Sequence, residues 1–176
     1  MPLQCPVAFA IRDFQPGDFE TLWRIDQQCF APGISYSRAE LRFYLRRSGS
    51  FTLIAAQAPS GEVDGQEGKS FPPPMASAEA IAGFIVAEVE RTCGHIITID
   101  VIASARRAGV GSLLLRAAEA RLRAARCHMV ELETAVDNIS ALLFYKRHGY
   151  TVRKTWPRYY SNGVDALVLQ KQLRSA

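Results

Sequence analysis

Residues 96–111, IITIDVIASARRAGVG, decide how the chain folds. Ile96, Ile97, Ile99, Val101 and Ile102 form a run rich in β-branched residues, which predicts a β-strand. The strand runs into the turn Arg106-Arg107-Ala108-Gly109-Val110-Gly111, and a helix follows at once from Ser112-Leu113-Leu114. A helix start leaves backbone N–H groups without partners, and its dipole adds partial positive charge there. Glycines at 109 and 111 carry no Cβ, so an anion can approach those amides closely. A phosphate or diphosphate site at a strand-to-helix junction is the expectation, set against the plainer reading of a turn that needs glycine for its geometry.

The spacing chooses among the families that use this device. A Walker loop needs Gly-Lys-Ser/Thr, whereas Gly111 is followed by Ser112 and Leu113. A dinucleotide fingerprint needs a third glycine where the chain has Leu114. What remains is Arg-x-x-Gly-x-Gly at Arg106, Gly109 and Gly111, which resembles the acetyl-CoA diphosphate loop of the GNAT acetyltransferases. The resemblance implies acetyl-CoA as cosubstrate, with no metal. It also implies cofactor contacts from Ile99, Asp100 and Val101 of the strand, from Arg106, Arg107, Ala108, Gly109, Val110, Gly111 and Ser112 of the loop, and from Asn138.

The chain has 176 residues, of which 48% are hydrophobic and 22% charged, so one soluble domain over 1–176 is expected. The net charge of +4 is modest, and the arginines at 106, 107, 116, 121, 123 and 126 gather near the proposed anion site. Such a charge suits an anionic cofactor better than nucleic acid. Most of these arginines can equally be the solvated face of one helix, and that reading is favoured for Arg121 and Arg126. No apolar run is long enough to span a membrane, and residues 1–14 lack the pattern of a signal peptide. Cys5, Cys29, Cys93 and Cys127 form no CxxC pair, which suits free thiols in a reducing cytoplasm. His95, His128 and His148 are scattered, which argues against a metal site.

From the N-terminus, residues 9–14 alternate as a half-buried strand. Pro16-Gly17-Asp18 starts a helix whose apolar face includes Phe19, Leu22, Trp23 and Ile25. After a loop at 29–36, Ser37-Arg38-Ala39-Glu40 has the form of a capping box and opens a helix to about Arg46. Strands follow at 50–56 and 81–89. Between them, 59–79 is rich in Gly and Pro and is expected to be a flexible hairpin insertion. The strand at 96–103 and the helix at 111–125 come next. A strand at 128–136 should lie parallel to 96–103 through a right-handed crossover. A helix at 138–147 stops at Gly149, and strands at 150–156 and 164–173 end the chain. The order β-α-α-β-β-β-α-β-α-β-β is that of the GNAT fold, an α/β architecture with a mixed sheet flanked by helices.

The second informative stretch is ETAVDNISALLFYKRHGY, residues 133–150. On a helix, positions 138, 142 and 145 share one side, so Asn138 and Tyr145 can face one cleft. The pattern Glu133, Asn138, Ala141, Tyr145, Gly149-Tyr150 resembles the ribosomal-protein-alanine N-acetyltransferase branch, whose members acetylate protein N-termini. Cys29-Phe30 and Arg158-Tyr159-Tyr160 resemble that branch too. The insertion at 59–79 departs from it, as does Ile102-Ala103 where Asp-Pro is usual. The resemblance implies a protein N-terminus as acceptor, a ribosomal protein among the targets, bound by a monomer or weak dimer.

In acetyl transfer an amine attacks a thioester carbonyl. A free α-amine, with a pKa of about 8, is mostly protonated at neutral pH and needs a base. Glu133 is the candidate. Tyr145 is the candidate acid for the departing thiolate. The resemblance implies that a backbone N–H between Ile99 and Val101 serves the developing oxyanion. Phe30, Ile34, Tyr36, Tyr159 and Tyr160 are expected to line the acceptor groove. Each has a plainer reading: Glu133 as a solvated carboxylate, Tyr145 as a core residue, Asn138 as a helix cap alone. A GNAT acting on a small-molecule amine and a catalytically silent CoA-binding module are the alternative functions.

Overall fold

The protein is described by a computed structural model over residues 8–57 and 80–173. The insertion expected at 59–79 lies outside the described residues, as does Cys5. In chain order the elements are β1 (Phe9–Asp13), α1 (Phe19–Cys29), α2 (Arg38–Arg46), β2 (Ser50–Gln57), β3 (Ile81–Glu90), β4 (Cys93–Val101), α3 (Val110–Ala124), β5 (Met129–Ala135), α4 (Ile139–Arg147), β6 (Thr151–Trp156) and β7 (Ala166–Gln172). The order is the one expected from the sequence. Among the described residues the strands form one sheet, ordered β1-β2-β3-β4-β5-β7-β6.

Local chemistry sets the element ends. Ser37 Oγ accepts the Glu40 N–H and the Glu40 carboxylate accepts the Ser37 N–H, a reciprocal cap that starts α2. Asn138 Oδ1 accepts the Ala141 N–H at 3.2 Å and starts α4. Strand β4 begins at Cys93, three residues before Ile96. Its first residues, Cys93-Gly94-His95, carry no apolar signal, yet they pair with Glu90, Val89 and Glu88 of β3. Gly94 is required there: a Cβ would meet the Leu122 side chain of α3 at 2.5 Å.

Helices cover both faces of the sheet. Leu114, Leu115 and Leu122 of α3 pack on Ile85 and Ile96, while Leu22 and Ile25 of α1 and Leu41 of α2 pack on Ile54, Phe84 and Val86. Each fully buried Leu or Phe contributes roughly 1.5–3 kcal/mol by leaving water. A buried charge cluster ties α3 to the far end of the sheet. Lys171 Nζ lies 2.8 Å from both carboxylate oxygens of Glu119, and the Tyr150 hydroxyl donates to Glu119 at 3.1 Å. Arg123 also pairs with Glu119, and Arg121 with Asp13. Arg123 therefore fastens α3 and does not gather at the anion loop as its spacing suggested, while Arg121 reaches Asp13 from the outer face of the helix, where it was expected.

The site comes from one pairing. β4 and β5 are parallel, as expected, but they pair only from Cys93↔Met129 to Ile96↔Leu132. Beyond Ile96 the two strands part. A register shift at Val86/Ala87 places Ile97 as an extra residue in β4 opposite β3, at the point of parting.

Candidate active site

The parting of β4 from β5 leaves backbone groups of β4 facing a gap. Ile102 N–H donates to Ala82 O across β3–β4. Antiparallel pairing alternates, so Thr98 and Asp100 also turn their N–H groups to β3, and Ile99 and Val101 turn theirs away, toward the gap. Val101 O, on the same edge, accepts from Arg106 Nε at 3.0 Å.

Two clefts open from this gap. One, of about 380 Å³, is walled by the 29–36 loop, β4, Glu133 and Tyr160. The other, of about 910 Å³, runs past Val101 and the 106–112 loop to Phe144 and Arg147. Cys29, Phe30, Ile99, Asn138, Ala141 and Tyr145 line both, so the clefts meet around these side chains.

The larger cleft ends at the start of α3. Gly109 has φ +84° and precedes the first residue of the helix, and Arg107 also has positive φ, at 64°. Only glycine adopts this conformation without strain. Beyond Gly109 and its two chain neighbours, no heavy atom lies within 4 Å of the place where a Gly109 Cβ would stand, so the loop is open on that side. Gly111 has a different reason to be glycine: its Cβ would meet the Phe144 ring of α4 at 3.3 Å. Arg106, Arg107 and Arg147 bring positive charge to this cleft. Ser112 lines it too, its Oγ 3.0 Å from His148 Nε2, while His148 Nδ1 donates to Phe144 O at 2.8 Å.

Three residues expected to touch the cofactor stand apart from the cleft walls. The Val110 side chain is 1% exposed and belongs to the core. Ala108 is exposed and lines neither cleft. Asp100 is the clearest correction: its N–H is turned to β3 and its side chain is buried on the α1 side, accepting from Thr98 Oγ1 at 2.9 Å. Strand alternation explains this, because Ile99 and Val101 face one way and Asp100 the other. Burial and the nearby Asp26 charge push the Asp100 carboxyl well above the usual carboxylate range.

In the smaller cleft, Glu133 Oε2 lies 2.7 Å from His95 Nε2. Burial pulls the His95 proton affinity down, but the hydrogen bonds and charges of Glu133 and Glu88 outweigh it and raise the ring above the ordinary imidazole value. Tyr145 is 5% exposed and reaches the junction from α4. Burial, then the charges of Asp100 and Tyr160, push its phenol above the ordinary value, so its hydroxyl keeps its proton. Tyr36 donates from its hydroxyl to Ile97 O at 3.3 Å, across the point where the strands part. Phe30, Ile34, Tyr36 and Tyr160 line this cleft as expected. Tyr159 does not: it is 44% exposed and stacks between Trp156 and Tyr160. The loop carrying Phe30 to Tyr36 is held by Asp26, which accepts the Tyr36 N–H at 2.8 Å, and by Ser161 Oγ, which donates to Gly33 O at 2.9 Å.

A mixed sheet opened between two parallel strands, above a glycine-capped helix, now has a family. The profile described as the Acetyltransferase (GNAT) family matches residues 20–150. The chain belongs to the GNAT acetyltransferase family. An N-acetyltransferase of Methanocaldococcus jannaschii described as uncharacterized is 36% identical over 97 residues, 54% of this chain and 62% of that protein. Human N-alpha-acetyltransferase 30 is 41% identical over 81 residues, 46% of this chain and 22% of that protein. The matched segments thus span less than two thirds of these relatives. The crystal structure of Ard1 from Thermoplasma volcanium superposes with a TM-score of 0.78 at 27% identity, covering 96% of this chain and 100% of that one.

Within this GNAT domain, sequence reasoning passed over His95 and Glu88. No local pattern marks them: Glu88, His95 and Glu133 come together only when β3, β4 and β5 pair. The β-branched run that marks the strand begins at Ile96, whereas β4 begins at Cys93, so His95 carries no strand signal of its own.

Proposed function

We propose that this GNAT protein moves the acetyl group of acetyl-CoA to the α-amine of a protein N-terminus, a ribosomal protein among the possible targets. The observation that carries the reading is the meeting of the two clefts at Tyr145 and Ile99, with the His95–Glu133 pair on one side and the open Gly109 loop on the other. The residues present fit acetyl-CoA. The larger cleft has room for an extended carrier, a helix N-terminus free of side chains at Gly109, and three arginines for phosphate groups.

Bound acetyl-CoA supplies an activated acyl group as a thioester. Backbone N–H groups of Ile99 and Val101 face the gap, where one is placed to serve the thioester oxygen. Glu133 takes the proton of the incoming amine as nitrogen bonds to the acyl carbon. The carbon–sulfur bond then breaks, the Tyr145 hydroxyl gives its proton to the departing sulfur, and the phenolate regains a proton from water before the next turnover. Phe30, Ile34, Tyr36 and Tyr160 give the acceptor cleft aromatic and apolar walls that suit the first side chains of a peptide better than a polycation.

The test is acetylation of a peptide library read by mass spectrometry, with N-terminal Ala, Ser and Met, internal Lys and small polyamines in parallel. Acetylated N-termini are expected. Transfer only to lysine side chains or to polyamines overturns the reading.

A further inference from the structure

Glu88 takes no part in the chemistry above, yet it is a carboxylate only 2% exposed. It sits on β3 directly across from His95 of β4. Its Oε1 lies 3.4 Å from His95 Nδ1 and 3.1 Å from Arg47 Nη1. The same imidazole meets Glu133 through Nε2 at 2.7 Å. One ring therefore bridges two carboxylates, one facing the acceptor cleft and one buried behind it. The other acidic groups on the packed strands are Glu90, which Arg47 reaches at 3.5 Å, Glu131, paired with Arg153, and Asp100, buried toward α1.

Above the pH at which His95 loses its second proton, which the two carboxylates raise, the imidazole is neutral and its single N–H can point at only one of its two neighbours. Once Glu133 has taken a proton from the amine it is uncharged, and Glu88 is then the charged carboxylate in contact with the ring. We propose that Glu88 holds the His95 proton on Nδ1 at that moment, so that Nε2 presents a lone pair to Glu133 and relieves it of the amine proton. The inference rests on Glu133 being the base. The balance is simple. The amine N–H bond breaks as the Glu133 O–H forms; that O–H breaks as the His95 Nε2–H forms; the ring, whose side chain is 29% exposed, releases the proton to water. Glu133 is restored as a carboxylate for the next turnover. Glu88 is a positioning residue, acting through His95, in the way a buried carboxylate fixes the tautomer of a catalytic histidine elsewhere.

Two measurements test it. The first leaves Glu88 in place: Glu133→Gln mimics the protonated carboxyl, and the imidazole ¹⁵N spectrum, assigned by loss of the signal in His95→Gln, reports the tautomer of the neutral ring. A proton on Nδ1 is expected; a proton on Nε2 overturns the proposal. The second compares Glu88→Leu with Glu88→Gln, whose amide oxygen can still accept the Nδ1–H. Glu88→Leu should lower kcat by about tenfold or more, with acetyl-CoA affinity unchanged, and Glu88→Gln should recover part of the loss. Wild-type kcat in Glu88→Leu overturns the proposal. Should Glu88→Leu fail to fold, Glu88→Gln and the tautomer still decide. Failure of the base assignment looks different: Glu133→Gln would then keep wild-type kcat whatever happens at Glu88.

Discussion

Nε2 of His95 and Oε2 of Glu133 stand 2.7 Å apart, linking β4 to β5 just where those strands part. Through this contact Glu133 raises the proton affinity of His95 against the effect of burial. Glu133→Gln removes the base and keeps the shape. Its kcat should fall by about 10²–10⁴-fold, the usual span for a general base, with the acetyl-CoA dissociation constant unchanged. The His95 titration, followed by NMR, should move to lower pH because one raising charge is gone. A variant with wild-type kcat at both neutral and alkaline pH rules Glu133 out as the base.

Tyr145→Phe separates the hydroxyl from the ring. The ring packs edge-on against Phe144 and Tyr150, at centroid distances of 5.2 and 5.4 Å, and phenylalanine preserves both contacts. Stability should therefore hold while kcat drops by about 10²-fold, the lower end of general-acid effects. The phenol is pushed above its ordinary value, so the wild-type enzyme should show no loss of this acid across an ordinary alkaline assay range. Equal kcat for the two proteins would leave Tyr145 a packing residue.

The fold and the loop were legible because their signals are local. Gly109, the Ser37–Glu40 cap and the Asn138 cap each act within a few residues, and the element order followed from them. The Glu133–His95–Glu88 chain was not legible, because three strands bring it together and its spacing along the chain carries no period. Asp100 misled for a related reason. Its neighbours Ile99 and Val101 face the gap, and only the alternation of the strand turns Asp100 to the other face. Gly111 shows a third kind of limit: the loop pattern names the glycine, but the ring that demands it comes from α4.

Asp26 should make stability depend on pH. Burial raises its pKa to about 6, against hydrogen bonds from Tyr36 and Gln27 that lower it. In the unfolded chain the value is about 3.9. Between these values the native state holds a proton that the unfolded state releases, so stability is full below about pH 4 and declines as pH rises toward 6. Above that it stays at the lower level. Asp26→Asn, which can still accept the Tyr36 N–H, should remove a decline on the order of 3 kcal/mol. Denaturant unfolding of both proteins from pH 4 to 7 measures it, and an identical slope in the variant excludes Asp26 as the source. Asp100, raised in the same direction, leaves a residual slope that the Asp26→Asn/Asp100→Asn double variant should reduce further, the part due to His95 remaining.

Gly109→Val tests the anion loop, and its result must be separated from simple distortion. The backbone at Gly109 is left-handed, with φ +84°, so any side chain there costs about 1–2 kcal/mol in strain. Space is not the difficulty, since beyond Gly109 and its two chain neighbours no heavy atom lies within 4 Å of the new Cβ. The protein should fold with that modest loss, and the valine should stand where the diphosphate approaches the α3 amides. Affinity for acetyl-CoA should therefore fall by about tenfold or more, the loss of one or two charge-assisted hydrogen bonds. Affinity for S-acetylpantetheine, which has no diphosphate, should not change. Gly111→Ala is the contrast: its Cβ presses on Phe144 at 3.3 Å and moves α4, which carries Tyr145, so kcat should suffer with either donor. If Gly109→Val weakens both donors equally, the loop shapes the cleft but does not grip the diphosphate.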